Sequence, residues 1–174
     1  MALTPLPVNL DELVEAMTWS DFMLETYRYL DRETGDVLTI EADEFGEDGL
    51  DEDEEDGEGD LSEDEKEAKA QMKLIDENPE RFIAVDRIES HESFRIMEDF
   101  VDEVKSETVR RRLMRALTGR RKPFRAFKSA LEEFPEVRQQ WFAYQEEREF
   151  AMARDWLAAN GIETTWTCPR KKAK

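Results

Sequence analysis

Large apolar residues recur at helical intervals through the last third of the chain. Phe124, Phe127, Leu131 and Phe134 stand at i, i+3, i+7 and i+10, on one side of a helix with 3.6 residues per turn. Lys122-Pro123 suits the opening turn, because proline lacks only an N–H that would be unpaired there. Pro135 disfavours helical geometry at Phe134 and can itself begin the next helix. That second helix carries Val137, Trp141, Tyr144, Met152 and Trp156. Asn160-Gly161 closes it, with Ile162 packing back onto the last turn. Residues 122–162 hold five of the ten Phe and two of the four Trp. Rings so spaced read as the core of a helix hairpin, since burial requires that spacing. A stacking platform for bases or a small ligand is the competing reading.

Earlier in the chain the pattern changes period twice. After a proline-punctuated lead-in over residues 1–8, Asn9 is placed to cap a helix through about Thr18, with Leu10, Leu13, Val14 and Met17 on its apolar face. LETYRYLDRETGDVLTIEA reads as a β-hairpin, Tyr27–Leu30 against Val37–Ile40, with Thr34-Gly35 in the turn. Ser62 and Glu65 resemble a capping box for a helix through Met72 and Ile75 to about Glu77. RFIAVDRIE, residues 81–89, is the third strand. Ser90 then caps a helix bearing Phe94, Met97, Phe100, Val101 and Val104. A further helix from about Ser106 to Thr118 uses Val109, Leu113, Ala116 and Leu117, and Gly119 closes it. IETTWTC, from Ile162, is a short β-prone segment and a candidate last strand.

The whole is expected to be α+β: a small antiparallel sheet of three to four strands packed against a mainly helical C-terminal half. Its 174 residues fit one domain, 1–174, with an acidic insert at about 42–60 and a basic tail at about 169–174.

Charge alters this picture at two places. Glu41–Glu67 contains 17 acids and one lysine, which accounts for most of the formal charge of −19. The stretch Ala42–Asp60 also holds four of the seven glycines, too little apolar surface to offset ordering, and is expected to be a disordered loop. From Lys105 to Lys174 the balance reverses to +8. Such an asymmetry suggests attraction within the chain, or a polyanionic partner for the basic half. A basic region followed by an apolar run is missing at the N-terminus, and no apolar stretch nears the roughly 18–20 residues that span a bilayer. A soluble cytoplasmic protein without a membrane partner is the expectation.

Three blocks bear a resemblance to a known family. They are Tyr29-Leu30-Asp31-Arg32-Glu33-Thr34-Gly35-Asp36-Val37, then Phe94-Arg95-Ile96-Met97-Glu98-Asp99-Phe100, then Phe124-Arg125-x-Phe127-Lys128 continuing through Trp141-Phe142 and Trp156-Leu157 to Gly161-Ile162. Together they are similar to uncharacterised protein family 158 of the "unknown protein family" series, small bacterial proteins, over about residues 9–163. The resemblance implies a bacterial cytoplasmic origin and no particular activity.

Enzyme signatures are sparse. Gly35, Gly119 and Gly161 are the glycines outside the insert, and none begins a phosphate-binding loop. The single histidine, His91, removes sites that need two imidazoles, and the single cysteine, Cys168, removes an internal disulfide. A Cys168–His91 nucleophile pair is weighed against a surface histidine and an incidental thiol. Glu98 and Asp102 are i, i+4 neighbours, and Glu132, Glu133 and Glu136 cluster nearby; either set could bind a divalent ion, although solvated helix faces are the usual outcome. Glu52–Glu63 is an imperfect calcium-loop match, with Glu at its first and third positions and Gly59 where an apolar residue normally packs. No catalytic, cofactor or metal site is assigned.

The strongest charge signal is Arg110, Arg111, Arg112, Arg115, Arg120, Arg121, Lys122, Arg125 and Lys128, a run without one acid. With Phe124 and Phe127 nearby it has the composition of a phosphate-contacting surface. The expected function is a non-catalytic interaction or regulatory module whose basic helical face meets an anionic partner, acidic protein or nucleic acid. The chain's own acidic loop is expected to act as an intramolecular competitor. The alternatives are a nucleic-acid-binding protein working through Arg110–Lys128 and a carboxylate- or metal-dependent hydrolase.

Overall fold

The computed structural model describes residues 2–19, 26–41, 63–119 and 121–167. The acidic insert, the calcium-like pattern up to Ser62, Arg120, Cys168 and the basic tail lie outside the described residues. The elements in order are β1 (Thr4–Leu6), α1 (Leu10–Thr18), β2 (Thr26–Asp31), β3 (Val37–Glu41), α2 (Glu63–Glu77), β4 (Phe82–Ala84), α3 (Ser90–Glu103), α4 (Glu107–Leu117), α5 (Pro123–Glu132), α6 (Pro135–Ala159) and β5 (Ile162–Thr164). The fold is α+β, with a three-stranded antiparallel sheet in order β3-β2-β4 and a mainly helical C-terminal half. Two compact units emerge, Met1–Arg87 with Arg154–Lys174, and Ile88–Ala153.

In the first unit the hairpin forms where its turn residues allow. Gly35, at φ 84°, donates its N–H to Asp31 O, and Asp31 N–H reaches Asp36 O at 2.9 Å. A Cβ on Gly35 would also stand 3.2 Å from Val8 N, so glycine fits on both counts. Strand β4 is shorter than the 81–89 expectation, because regular pairing with β2 ends at Tyr29↔Ala84. Ile40, Ala68, Ile75 and Phe82 form a core between α2 and the sheet, with Tyr29, Leu38 and Met72 at its margin.

The candidate last strand is real, but it does not join that sheet. β5 pairs in parallel with β1, Thr4 opposite Ile162 and Leu6 opposite Thr164. The proline-punctuated lead-in is thus partly strand. Proline is tolerated there because an edge strand can spare an N–H. Thr164 Oγ1 donates to Val8 O at 2.7 Å and fixes the exit of β1.

The second unit is helical throughout. Ser106 caps α4 by accepting from Val109 N–H, and α5 opens at Pro123 as the sequence predicts. α3 departs slightly: the cap is Glu89, whose N–H donates to the Glu92 carboxylate at 3.0 Å, so Ser90 is already helical. One core fills the unit, with Phe100, Leu113, Phe127, Leu131 and Trp141 all buried. Trp141 meets Phe100 and Phe127 edge-on at centroid distances of 5.2 and 5.0 Å. That orientation lets the positive ring edge face the negative ring face.

Candidate anion-binding surface

The amphipathic period of α4 decides where its four arginines go. Leu113, Ala116 and Leu117 are buried, which turns Arg111 and Arg115 to the opposite, exposed side and leaves Arg110 and Arg112 on the half-buried flanks. Arg111 pairs with Glu107 one turn back at 2.6 Å. Arg112 makes a two-pronged contact with Glu133, tying α4 to the end of α5. On α5, Phe127, Ala130 and Leu131 face inward and Arg125 and Lys128 outward. Six cations of the run, Arg110, Arg115, Arg121, Lys122, Arg125 and Lys128, have no ion pair among the described residues.

Lys122 adds a local feature. At φ 49° it is the one non-glycine residue with positive φ among the described residues, and it makes no side-chain cap for α5. The first turn of α5 carries no acid either, so the positive end of the helix dipole stays uncompensated beside Arg121 and Arg125.

The aromatics are absorbed elsewhere. Phe127 is fully buried and Trp141 is 3% exposed, while Phe124 packs at 6.2 Å against Phe94. Among the described residues of this unit the exposed large apolar side chain is Phe142, with the Arg138 guanidinium over its ring at 5.4 Å. The Trp156 indole N–H, in the other unit, donates to Asp86 Oδ2 at 2.8 Å.

Carboxylates take ordinary places. Glu98 and Asp102 are exposed on the outer side of α3, and Glu132, Glu133 and Glu136 are exposed as well. Among the described residues no group of three His, Cys, Asp or Glu side chains is placed to hold a metal ion. His91 is exposed, its Nδ1 3.0 Å from Glu89. A cleft of about 510 Å³ in the sheet unit is lined by Arg32, Glu33, Glu77, Asn78, Glu80 and Arg81. Both of its guanidiniums are engaged, Arg32 with Asn160 O and Arg81 with Asp31 and Glu33. A smaller cleft of about 290 Å³ is lined by Glu12, Glu15, Trp19, Arg28 and Glu41; there Arg28 stacks on Trp19 and donates to Ala16 O.

Local sequence reading missed the buried carboxylate. Asp31, 5% exposed, accepts from Arg81 Nε at 3.0 Å and Nη2 at 2.6 Å, and from Glu33 N–H at 2.8 Å. Burial alone would raise its pKa. The Arg81 hydrogen bonds and the Glu33 and Thr34 amides outweigh that, and hold the carboxyl below the usual range. Its partner stands 50 residues away, beyond any local signal.

Residues 3–168 match the model of the Uncharacterised protein family UPF0158. The chain belongs to that family. A UPF0158 protein of Pseudomonas aeruginosa is 34% identical over 164 residues, which cover 92% of this chain and 88% of its relative. No solved structure matches the chain. Mapped onto the structure, the UPF0158 blocks named above fall on the β2–β3 hairpin, on α3, and on α5 and α6. The first contains the buried Asp31 and the others supply the Phe100, Phe127 and Trp141 rings. Among the described residues no helix is long and apolar enough to cross a membrane.

Proposed function

We propose that this UPF0158 protein is a cytoplasmic, non-catalytic interaction module whose α4–α5 surface receives an anionic macromolecule. One observation carries the reading: six cations of Arg110–Lys128 have no ion pair among the described residues, while the rings interleaved with them are committed to the core. Exposed guanidiniums without partners keep their five-donor forks available for carboxylate or phosphate oxygens. The exposure of Glu98, Asp102, Glu132 and Glu136 argues against acid–base work, which calls for carboxylates shielded from water. The twelve acids of Ala42–Asp60 compete for the same cations and so set a threshold for the external partner.

The test is capture of two fluorescent probes, a polyglutamate peptide and a single-stranded RNA, by the full chain across a salt series. Arg115→Glu, Arg125→Glu and Lys128→Glu together should abolish binding of whichever probe is captured, and wild-type affinity should fall steeply with salt. Deleting residues 43–59 should tighten it. Equal binding by wild type and the triple variant would defeat the reading; tighter binding of RNA than of polyglutamate would make the partner a nucleic acid.

A further inference from the structure

The helical unit also carries the counter-charge to its own basic surface. α3 buries Ile96, Met97, Phe100 and Val101, which turns Glu98, Asp99, Asp102 and Glu103 outward, all exposed. Asp99 lies 3.6 Å from Arg148. The charge of Glu103 also acts on Arg148, while Glu98 and Asp102 have no ion pair among the described residues. Glu98 and Asp102 on one side, and the cations of α4 and α5 on the other, therefore stand on different helices of one compact unit, without an ion pair between them among the described residues.

We propose that the outward carboxylates of α3 in a second copy of this chain dock on the cationic α4–α5 surface, so that helical units associate head to tail. The inference rests on the anion-binding reading above and names a partner for the same residues. Three features favour this occupant. Glu98 and Asp102 are an i, i+4 pair and Arg125 and Lys128 an i, i+3 pair, so each helix presents two like charges along one side, opposite in sign to the other's. Both sets sit on helices that share one buried core, so docking orders side chains and leaves the backbone unchanged. The unit has thirteen Lys/Arg and thirteen Asp/Glu, so it is formally neutral and the −19 of the chain lies outside it. Two such units thus attract through separated charge without a net charge of their own. At about 0.15 M salt the screening length of about 8 Å weakens repulsion from the remainder of the chain, while apposed side chains still interact. The two faces differ, so the contact is heterologous and builds open chains or rings.

Sedimentation velocity of the full chain, over a concentration series, tests this with charge reversals. Wild type should associate reversibly at about 0.15 M salt and dissociate at about 1 M. The triple variant Arg115→Glu/Arg125→Glu/Lys128→Glu and the double variant Glu98→Lys/Asp102→Lys should each associate at least about tenfold more weakly. An equimolar mixture of the two variants should regain association, because the reversed faces complement each other in trans. Circular dichroism melts confirm that these exposed substitutions leave the fold intact.

The polyglutamate probe separates the two proposals. The Glu98→Lys/Asp102→Lys variant should still capture it, since its basic surface is unchanged. A monomeric wild type, or a mixture that fails to regain association, overturns the head-to-tail contact even where the probe is captured. Undiminished capture by the triple variant overturns the anion-binding reading itself.

Discussion

Whereas the helical unit is filled by Phe100, Phe127 and Trp141 meeting edge to face, the sheet unit buries a charge, Asp31, under the fork of Arg81. The helical unit is formally neutral, with α3 mostly acidic and α4 and α5 mostly basic; the other residues carry the −19. Ring packing responds little to pH or salt, because it rests on area removed from water and on contact between ring edges and faces. A buried carboxylate held by a half-exposed guanidinium behaves differently: with the guanidinium removed, it is left as an uncompensated buried polar group. The two units therefore answer to different solution variables.

The sharpest way to break this contrast is Phe127→Ala. Phe127 is fully buried against Trp141, so the truncation should cost about 3–5 kcal/mol, read from urea unfolding. A loss below about 1 kcal/mol would mean that the rings are not what fills the helical unit.

Asp31→Asn probes the other side. It removes the ionic part of the Arg81 contact and should cost about 2 kcal/mol at neutral pH. The acid dependence sharpens the point. Asp31 is held below the usual carboxylate range in the folded chain, so its contribution is complete above the unfolded value of about 3.9 and is lost as pH falls through the lower folded value. Stability of wild type should therefore drop across that acid interval relative to the Asn variant. Parallel curves would refute the assignment.

The smallest effect is expected at Glu149. Burial raises its carboxyl, the hydrogen bond from Gln145 opposes that rise, and neighbouring Glu146 adds to it. A raised folded value means that wild type loses stability as pH rises through it. Glu149→Gln should thus gain a few tenths of a kcal/mol at neutral pH, allowing for solvent screening, and the gain should vanish in acid. A gain that persists in acid would point to packing in place of charge.

Much of this architecture is legible in the sequence because its signals are local. Pro123, Pro135 and Gly161 mark helix ends, Thr34-Gly35 marks the hairpin, and the spacing of Phe124, Phe127 and Leu131 marks the inward face of α5. What escapes is pairing across distance. β1 reads as a proline-rich lead-in until Thr4 is set beside Ile162, and Asp31 reads as a turn residue until Arg81 closes over it. The same limit applies to the basic run. Composition shows nine cations, whereas only the folded chain shows that Arg112 is taken by Glu133, 21 residues on, and that Arg115, Arg125 and Lys128 have no ion pair among the described residues.

The parallel strand at the chain's two extremes also bears on assembly during synthesis. Ile88–Ala153 is continuous and can condense as soon as it leaves the ribosome, whereas β1 waits for residues 162–164 before its edge has a partner. Leu6, buried in the finished protein, is left open to solvent or to a chaperone in any nascent chain that stops short of that strand.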